Sequence, residues 1–145
     1  VYGPGRDQGM TSTPTKAMLA AAAGRRYHIG RFGTSIYQYA GDVASLFLRA
    51  ARSERDGAAV YNLGGSTARI DEVVAMIAAA APDAAALITF DAAPGSGLAA
   101  VDERPLEAAL GPMRWTPLPD GVRQTVEHFR AAVRAGTVHV DNVLA

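Results

Sequence analysis

Ile36-Tyr37-Gln38-Tyr39-Ala40-Gly41-Asp42-Val43-Ala44-Ser45-Leu46-Phe47 changes character halfway through, and that change sets the fold class. Residues 36–40 carry the aromatic and apolar side chains of an extended strand. Gly41-Asp42 ends the run. Val43, Leu46, Phe47 and Ala50 then recur at i, i+3, i+4 and i+7, the spacing of a helix with one buried face. Asp42 is well placed to cap it. A strand passing directly into an amphipathic helix is a unit of α/β architecture.

The same alternation recurs on both sides. Upstream, Val1-Tyr2 runs into Gly3-Pro4-Gly5, a strand end entering a loop. Thr13 before Pro14 reads as an N-cap and first helical position, opening a helix that carries Met18, Leu19 and Ala22 and stops at Gly24. Tyr27-His28-Ile29 is a short strand closed by Gly30 and Gly33. Downstream, Ala59 to Leu63 is an apolar run of strand length. Gly64-Gly65 turns it toward a helix with Ile70, Val73, Val74, Ile77 and Ala81 inward, ended by Pro82. Ala86 to Phe90 is a further strand, and Asp91 to Val101 is irregular. A brief helix from Pro105 stops at Gly111, and the last strong helix runs from Pro119 to Ala135. Parallel crossovers are expected, with one unit over residues 1–135 and a tail over 136–145 that has no clear partner.

Composition narrows the function. Of 145 residues 49% are hydrophobic and 19% charged, a globular balance, and the formal net charge is zero. That argues against nucleic-acid and anionic-membrane partners, which call for clustered Lys and Arg. The chain has no cysteine, which excludes disulfides, thiolate metal sites and thiol nucleophiles. The alanine-rich run Ala17 to Ala23 is too short to span a bilayer, and no leader pattern is visible, so a cytoplasmic location is expected. Val1-Tyr2 opens in what reads as mid-strand; the chain is expected to begin inside a larger protein. Three scattered histidines, His28, His128 and His139, give no metal-ligand spacing and read as packing or surface residues. Tyr61-Asn62-Leu63-Gly64-Gly65 could cradle a phosphate at a helix N-terminus, yet it lacks a following Lys-Ser/Thr and a third glycine; a tight turn is the better reading.

Taken in order, these pieces carry more than each does alone. The series is Val1-Tyr2-Gly3-Pro4-Gly5, Tyr27-His28-Ile29, Tyr37-Gln38-Tyr39-Ala40-Gly41-Asp42-Val43-Ala44, Val60-Tyr61-Asn62-Leu63-Gly64-Gly65 and Ile70-Asp71-Glu72-Val73-Val74. Asp102, Leu110-Gly111, Thr116-Pro117-Leu118, Asp120-Gly121 and Thr125 complete it. Over residues 1–134 the chain resembles the C-terminal, substrate-side portion of NAD-dependent epimerase/dehydratase proteins, the extended short-chain dehydrogenases/reductases. The resemblance implies a few parallel strands of a Rossmann-like sheet with helices, plus a small α/β cap. It implies NAD or NADP, bound mainly by the other half, and oxidation, epimerisation or dehydration at a hydroxyl-bearing carbon of a sugar-like or sugar-acid substrate. It also implies a homodimer formed through that other half. Val1 and Tyr2 are placed near the nicotinamide; Tyr2, Thr13, Lys16, Arg31, Tyr37 and Gln38 are placed along the substrate walls. Asp42, Asn62 and Gly64 are assigned to architecture.

The departures from the family are as informative. There is no dinucleotide fingerprint. The catalytic pair requires Tyr four residues before Lys, but Lys16 is the sole lysine and Ser12 precedes it by four. The chain alone is therefore expected to be inactive. Relatives acting on nucleotide-diphospho-sugars carry an Arg near the position of Ser35, and a second one between Asp91 and Val101; neither is present, though Arg31 is close enough to substitute. This favours a smaller polyol or sugar acid. The competing class is a non-catalytic NAD(P)-sensing or protein-binding module of the same fold.

Overall fold

The computed structural model describes residues 1–9, 11–54, 56–92 and 100–145, with Arg31, Phe32 and Ala92 described by backbone only. At its centre lies α1 (Thr13–Ala22), in which Ala17, Met18, Leu19, Ala20 and Ala21 are all buried. The expected stripe is therefore wrapped on every side, as befits a helix short of polar positions. Its alanines let α5 (Leu118–Ala135), α3 (Ile70–Ala80) and β1 (Tyr27–Phe32) approach closely. The helix cap is Ser12 and not Thr13, and the Ser12 hydroxyl turns back to the Gly9 carbonyl at 2.6 Å. Pro14 still occupies the first turn, where a missing N–H costs nothing. At the far end Gly24 adopts φ +64°. The Arg25 N–H then reaches the Ala20 carbonyl at 2.8 Å and the Gly24 N–H reaches Ala21 at 3.3 Å, closing the helix.

Two small sheets flank this helix. β1 pairs in parallel with β4 (Ile88–Ala92), in the register Tyr27↔Ile88, His28↔Thr89 and Ile29↔Phe90. The strand runs through Gly30 to Phe32, beyond the expected stop. β2 (Ser35–Tyr37) pairs antiparallel with β3 (Ser66–Ala68), a partner the apolar pattern did not mark. The expected strand Ala59 to Leu63 is not a strand: residues 58–60 are exposed, and Val60 is 98% accessible. Its composition suits a sheet, but no strand lies beside it among the described residues. The pairing forms a few residues later, where Gly65 (φ +149°) lets the chain pass so near the Tyr37 carbonyl that a Cβ would sit 2.6 Å from its oxygen.

Helix boundaries bring further corrections. α2 (Ala40–Ala51) is capped at Tyr39, so Asp42 lies inside the first turn and is not the cap. At α3 the Glu72 carboxylate accepts the Arg69 N–H at 2.7 Å, which satisfies one of the free amides of the helix start. A 3₁₀ turn, Pro82–Leu87, joins α3 to β4. α4 (Arg104–Leu110) stops at Gly111, and Arg49 of α2 donates to the Leu110 carbonyl and, at 3.3 Å, to that of Pro112. Residues 136–145 do find a partner. They form α6 (Val140–Leu144), which buries Val143 against the core while Asp141 pairs with Arg25 at 2.7 Å. The irregular segment expected over Asp91 to Val101 falls largely on residues 93–99, outside the described residues.

Gly121 is tightly enclosed in the core: a Cβ there would lie 2.0 Å from the Tyr2 hydroxyl oxygen and 2.9 Å from Cζ. Gly121→Ala is expected to lower the unfolding free energy by about 1–3 kcal/mol, the usual cost of overpacking. Tyr2→Phe in the same chain should recover part of that loss, measured by urea denaturation of the single and double variants.

Candidate functional site

The residues that the sequence nominates do not all meet. Tyr2, Tyr37 and Gln38 do. The Tyr2 N–H donates to the Gln38 carbonyl at 2.9 Å and the Ala40 N–H donates to the Tyr2 carbonyl at 2.8 Å, forming a parallel bridge between Tyr2 and Tyr39. The Tyr2 ring stands edge-on to Tyr37 at 6.1 Å and tilted against Tyr39 at 5.7 Å. Tyr2 is 2% exposed and Tyr37 is likewise buried. Both rings therefore form the back of this region. Their hydroxyls have no hydrogen-bond partner among the described residues. Burial holds both phenols neutral: it raises Tyr37 to about 12 and pushes Tyr2 well above its ordinary value, with the nearby carboxylate of Asp42 adding to the effect.

Val1 remains half-open beside this cluster. Gln38 is half-buried, and its amide is spent on the Leu63 carbonyl at 3.1 Å, which fixes the segment ahead of Gly64. Thr13 begins α1, half-buried. Its neighbour Thr15, missed in the sequence, is buried, and its hydroxyl accepts the Gly3 N–H at 3.2 Å, tying the Gly-Pro-Gly loop to α1. The Lys16 ammonium lies 3.4 Å from the Ala145 carbonyl, so it faces α6. Arg31 is on β1, and its side chain lies outside the described part of the structure.

A second layer of contacts was invisible to local patterns. The Asp42 carboxylate accepts the Thr116 N–H at 2.7 Å and the Thr116 hydroxyl at 2.9 Å, joining the start of α2 to the approach to α5 across 74 residues. Trp115 donates its indole N–H to Glu103 at 3.0 Å. The same oxygen, Oε2, presses on Gly64, where a Cβ would sit 2.0 Å from it. Asp42, Thr116 and Gly64 lie on motifs quoted above, but nothing in the spacing announces which touches which.

These contacts decide what the glycine turn can hold. A dinucleotide's pyrophosphate needs free N–H groups and no negative charge nearby. Here Glu103 occupies the space over Gly64, and Asp71 and Glu72 fill the first turn of α3. The turn therefore does not fit the phosphates of NAD or NADP. Among the described residues no group of His, Asp and Glu could hold a metal ion, and no helix is long and apolar enough to cross a membrane.

On the opposite side of α2 the surface is apolar and open. A groove of about 350 Å³ is lined by Leu46, Phe47, Tyr61, Leu63, Leu106 and Leu110, among others. Phe47, 69% exposed, is among its lining, and Leu48 and Val60 are exposed as well.

No protein-family model and no curated protein sequence matches the chain. Solved structures do. MoeE5 in complex with UDP-glucose and NAD is similar over 91% of this chain and 45% of its own, at 25% identity and a TM-score of 0.73. UDP-glucuronic acid 4-epimerase from Bacillus cereus in complex with NAD is similar over 96% and 43%, at 18% identity and a TM-score of 0.68. ADP-L-glycero-D-manno-heptose-6-epimerase from Helicobacter pylori is similar over 90% and 41%, at 20% identity and a TM-score of 0.66. The fold is thus the mixed α/β arrangement of the C-terminal part of Rossmann-like epimerases. The chain spans less than half the length of these structures.

Because Tyr37 is neutral in the folded state well above the ordinary phenol range, folding retains a proton that the unfolded chain releases. Its contribution to stability is complete below about pH 10 and is lost as pH rises toward about 12. Urea denaturation across that interval should reveal a falling midpoint, and Tyr37→Phe should flatten the fall.

Proposed function

We propose that this chain is the substrate-side portion of an NAD(P)-dependent sugar epimerase-type protein, whose dinucleotide half docks on the open face formed by α2, residues 58–63 and α4. The observation that carries this reading is the match to MoeE5, which extends over 91% of the chain and under half of the longer protein. The apolar face supports it independently. Phe47 is 69% exposed on the groove's rim, and covering it would contribute about 1.5–3 kcal/mol. Residues 58–62 make no backbone hydrogen bonds among those described, so they are free to pair with an added strand. The glycine turn, blocked by Glu103, supports a reading in which the dinucleotide's phosphates are held by the other half.

In this reading the chain's own residues shape and orient. Tyr2, Tyr37 and Tyr39 form the rigid floor, Gln38 sets the path of residues 63–65, and Asp42 with Thr116 locks α2 to α5. A dinucleotide held by the other half would supply hydride transfer at a hydroxyl-bearing carbon; Tyr2 and Tyr37, buried and held neutral, do not supply the phenolate base that would take the hydroxyl proton. The substrate is sugar-like. Ser35, half-buried in β2, offers no charge for a diphosphate, which favours a sugar or sugar acid. The UDP-glucose held by MoeE5 favours a nucleotide-sugar instead.

The test uses the protein that carries this chain together with its upstream half, incubated with NAD+ and either D-glucuronate or UDP-glucuronate. Epimerised or oxidised product, resolved by chromatography, is expected with the joined protein and absent with the 145-residue chain alone. NAD+ binding without turnover of any sugar would point instead to a sensing module, and no NAD+ binding at all would overturn the proposal.

A further inference from the structure

Asp42, Ser45, Leu46 and Arg49 recur on α2 at i, i+3, i+4 and i+7, so the four share one face of the helix. Residues 112–116 run against that face and are fastened to it at both ends. At one end Arg49 donates to the Leu110 carbonyl and, at 3.3 Å, to that of Pro112. At the other, Asp42 accepts the Thr116 N–H at 2.7 Å and its hydroxyl at 2.9 Å. The two anchoring residues are separated by about 10 Å along the helix axis. Between them a cavity of about 380 Å³ remains, with Met113, Arg114 and Trp115 lining the side opposite α2.

The lining has a definite chemistry. Arg114 is exposed and makes no hydrogen bond or ion pair with any described residue. Arg49 uses two of its five N–H donors on carbonyls, which fixes the guanidinium and leaves its charge uncompensated. Among the described residues no carboxylate pairs with either guanidinium. Asp42 is the one acidic residue of the lining, and both its oxygens are taken by Thr116. Two cations against one anion leave a single net positive charge, which suits one carboxylate better than a doubly charged phosphate. Leu46, Pro112 and Met113 supply apolar wall, as does Trp115, whose indole N–H is already held by Glu103. The volume exceeds what a bare carboxylate fills and lies within the range of small-molecule sites, about 300–1,000 Å³.

We propose that this cavity binds a small organic carboxylate with an apolar body. The Arg114 guanidinium and the N–H groups left on Arg49 hold the carboxylate, while Leu46, Met113 and Trp115 take the body. The inference does not rest on the epimerase reading: it uses no residue of the tyrosine cluster and needs neither dinucleotide nor sugar.

Trp115 is the only tryptophan of the chain, so its fluorescence reports directly on this cavity. The 145-residue chain is titrated with cyclohexanecarboxylate, which neither absorbs nor emits in the tryptophan range. A saturable change in emission is expected. Arg114→Gln should weaken binding about tenfold or more, the loss of a charge-assisted contact, while leaving the thermal melt unchanged. Cyclohexanecarboxamide, of the same shape but uncharged, should produce no saturable change, and equimolar inorganic phosphate should not displace the carboxylate. No saturable change with the carboxylate, an equal response to the carboxamide, displacement by equimolar phosphate, or an affinity unaltered by Arg114→Gln would each overturn the site.

Discussion

Tyr2 pins the structure together. Its backbone pairs with Gln38 and Ala40 on either side of Tyr39, its ring fills the space beside Tyr37 and Tyr39, and its hydroxyl ends against Gly121. Four parts of the chain therefore depend on one side chain: the Gly-Pro-Gly loop, the end of β2, the start of α2 and the first turn of α5. The arrangement leaves two phenol hydroxyls buried without partners, a cost of order 1–3 kcal/mol each that the surrounding packing must offset. It also explains the Asp120-Gly121 sequence, since any side chain at 121 would displace the ring.

Charge limits what the glycine turn can hold. Glu103, held by Trp115, guards the glycine turn, and acidic residues fill the start of α3, so the face that superficially offers a phosphate cradle repels one. The groove beside α2 is mainly apolar and open, with Asp56 in its lining.

How much of this could be read from the residues depends on range. α1 and α5 were recovered closely and α2 and α3 in kind, because their apolar spacing, prolines and closing glycines are local signals; α2 starts three residues before the position that an Asp42 cap implies, and Gly24, Gly111 and Gly136 all take positive φ where helices were expected to stop. The strand over Ala59 to Leu63 failed because strand formation needs a neighbour, and composition does not reveal one. β3 was missed because Ser66-Thr67-Ala68 has no apolar alternation and is created by the close approach at Gly65. The site suffered most. Tyr2 and Tyr37 are polar in composition but buried, and Asp42 was read as a cap when its real partner is Thr116. In each case the deciding contact spans tens of residues.

Amide hydrogen exchange at Ala58 to Leu63 tests the central claim most directly, that this chain is one side of a two-part protein joined along the open face. Compared in the 145-residue chain and in the protein that also contains the dinucleotide half, these amides should exchange rapidly in the first and be protected about a hundredfold or more in the second, equivalent to roughly 3 kcal/mol of added local stability. Equal exchange in both, or strong protection already present in the chain alone, would contradict it.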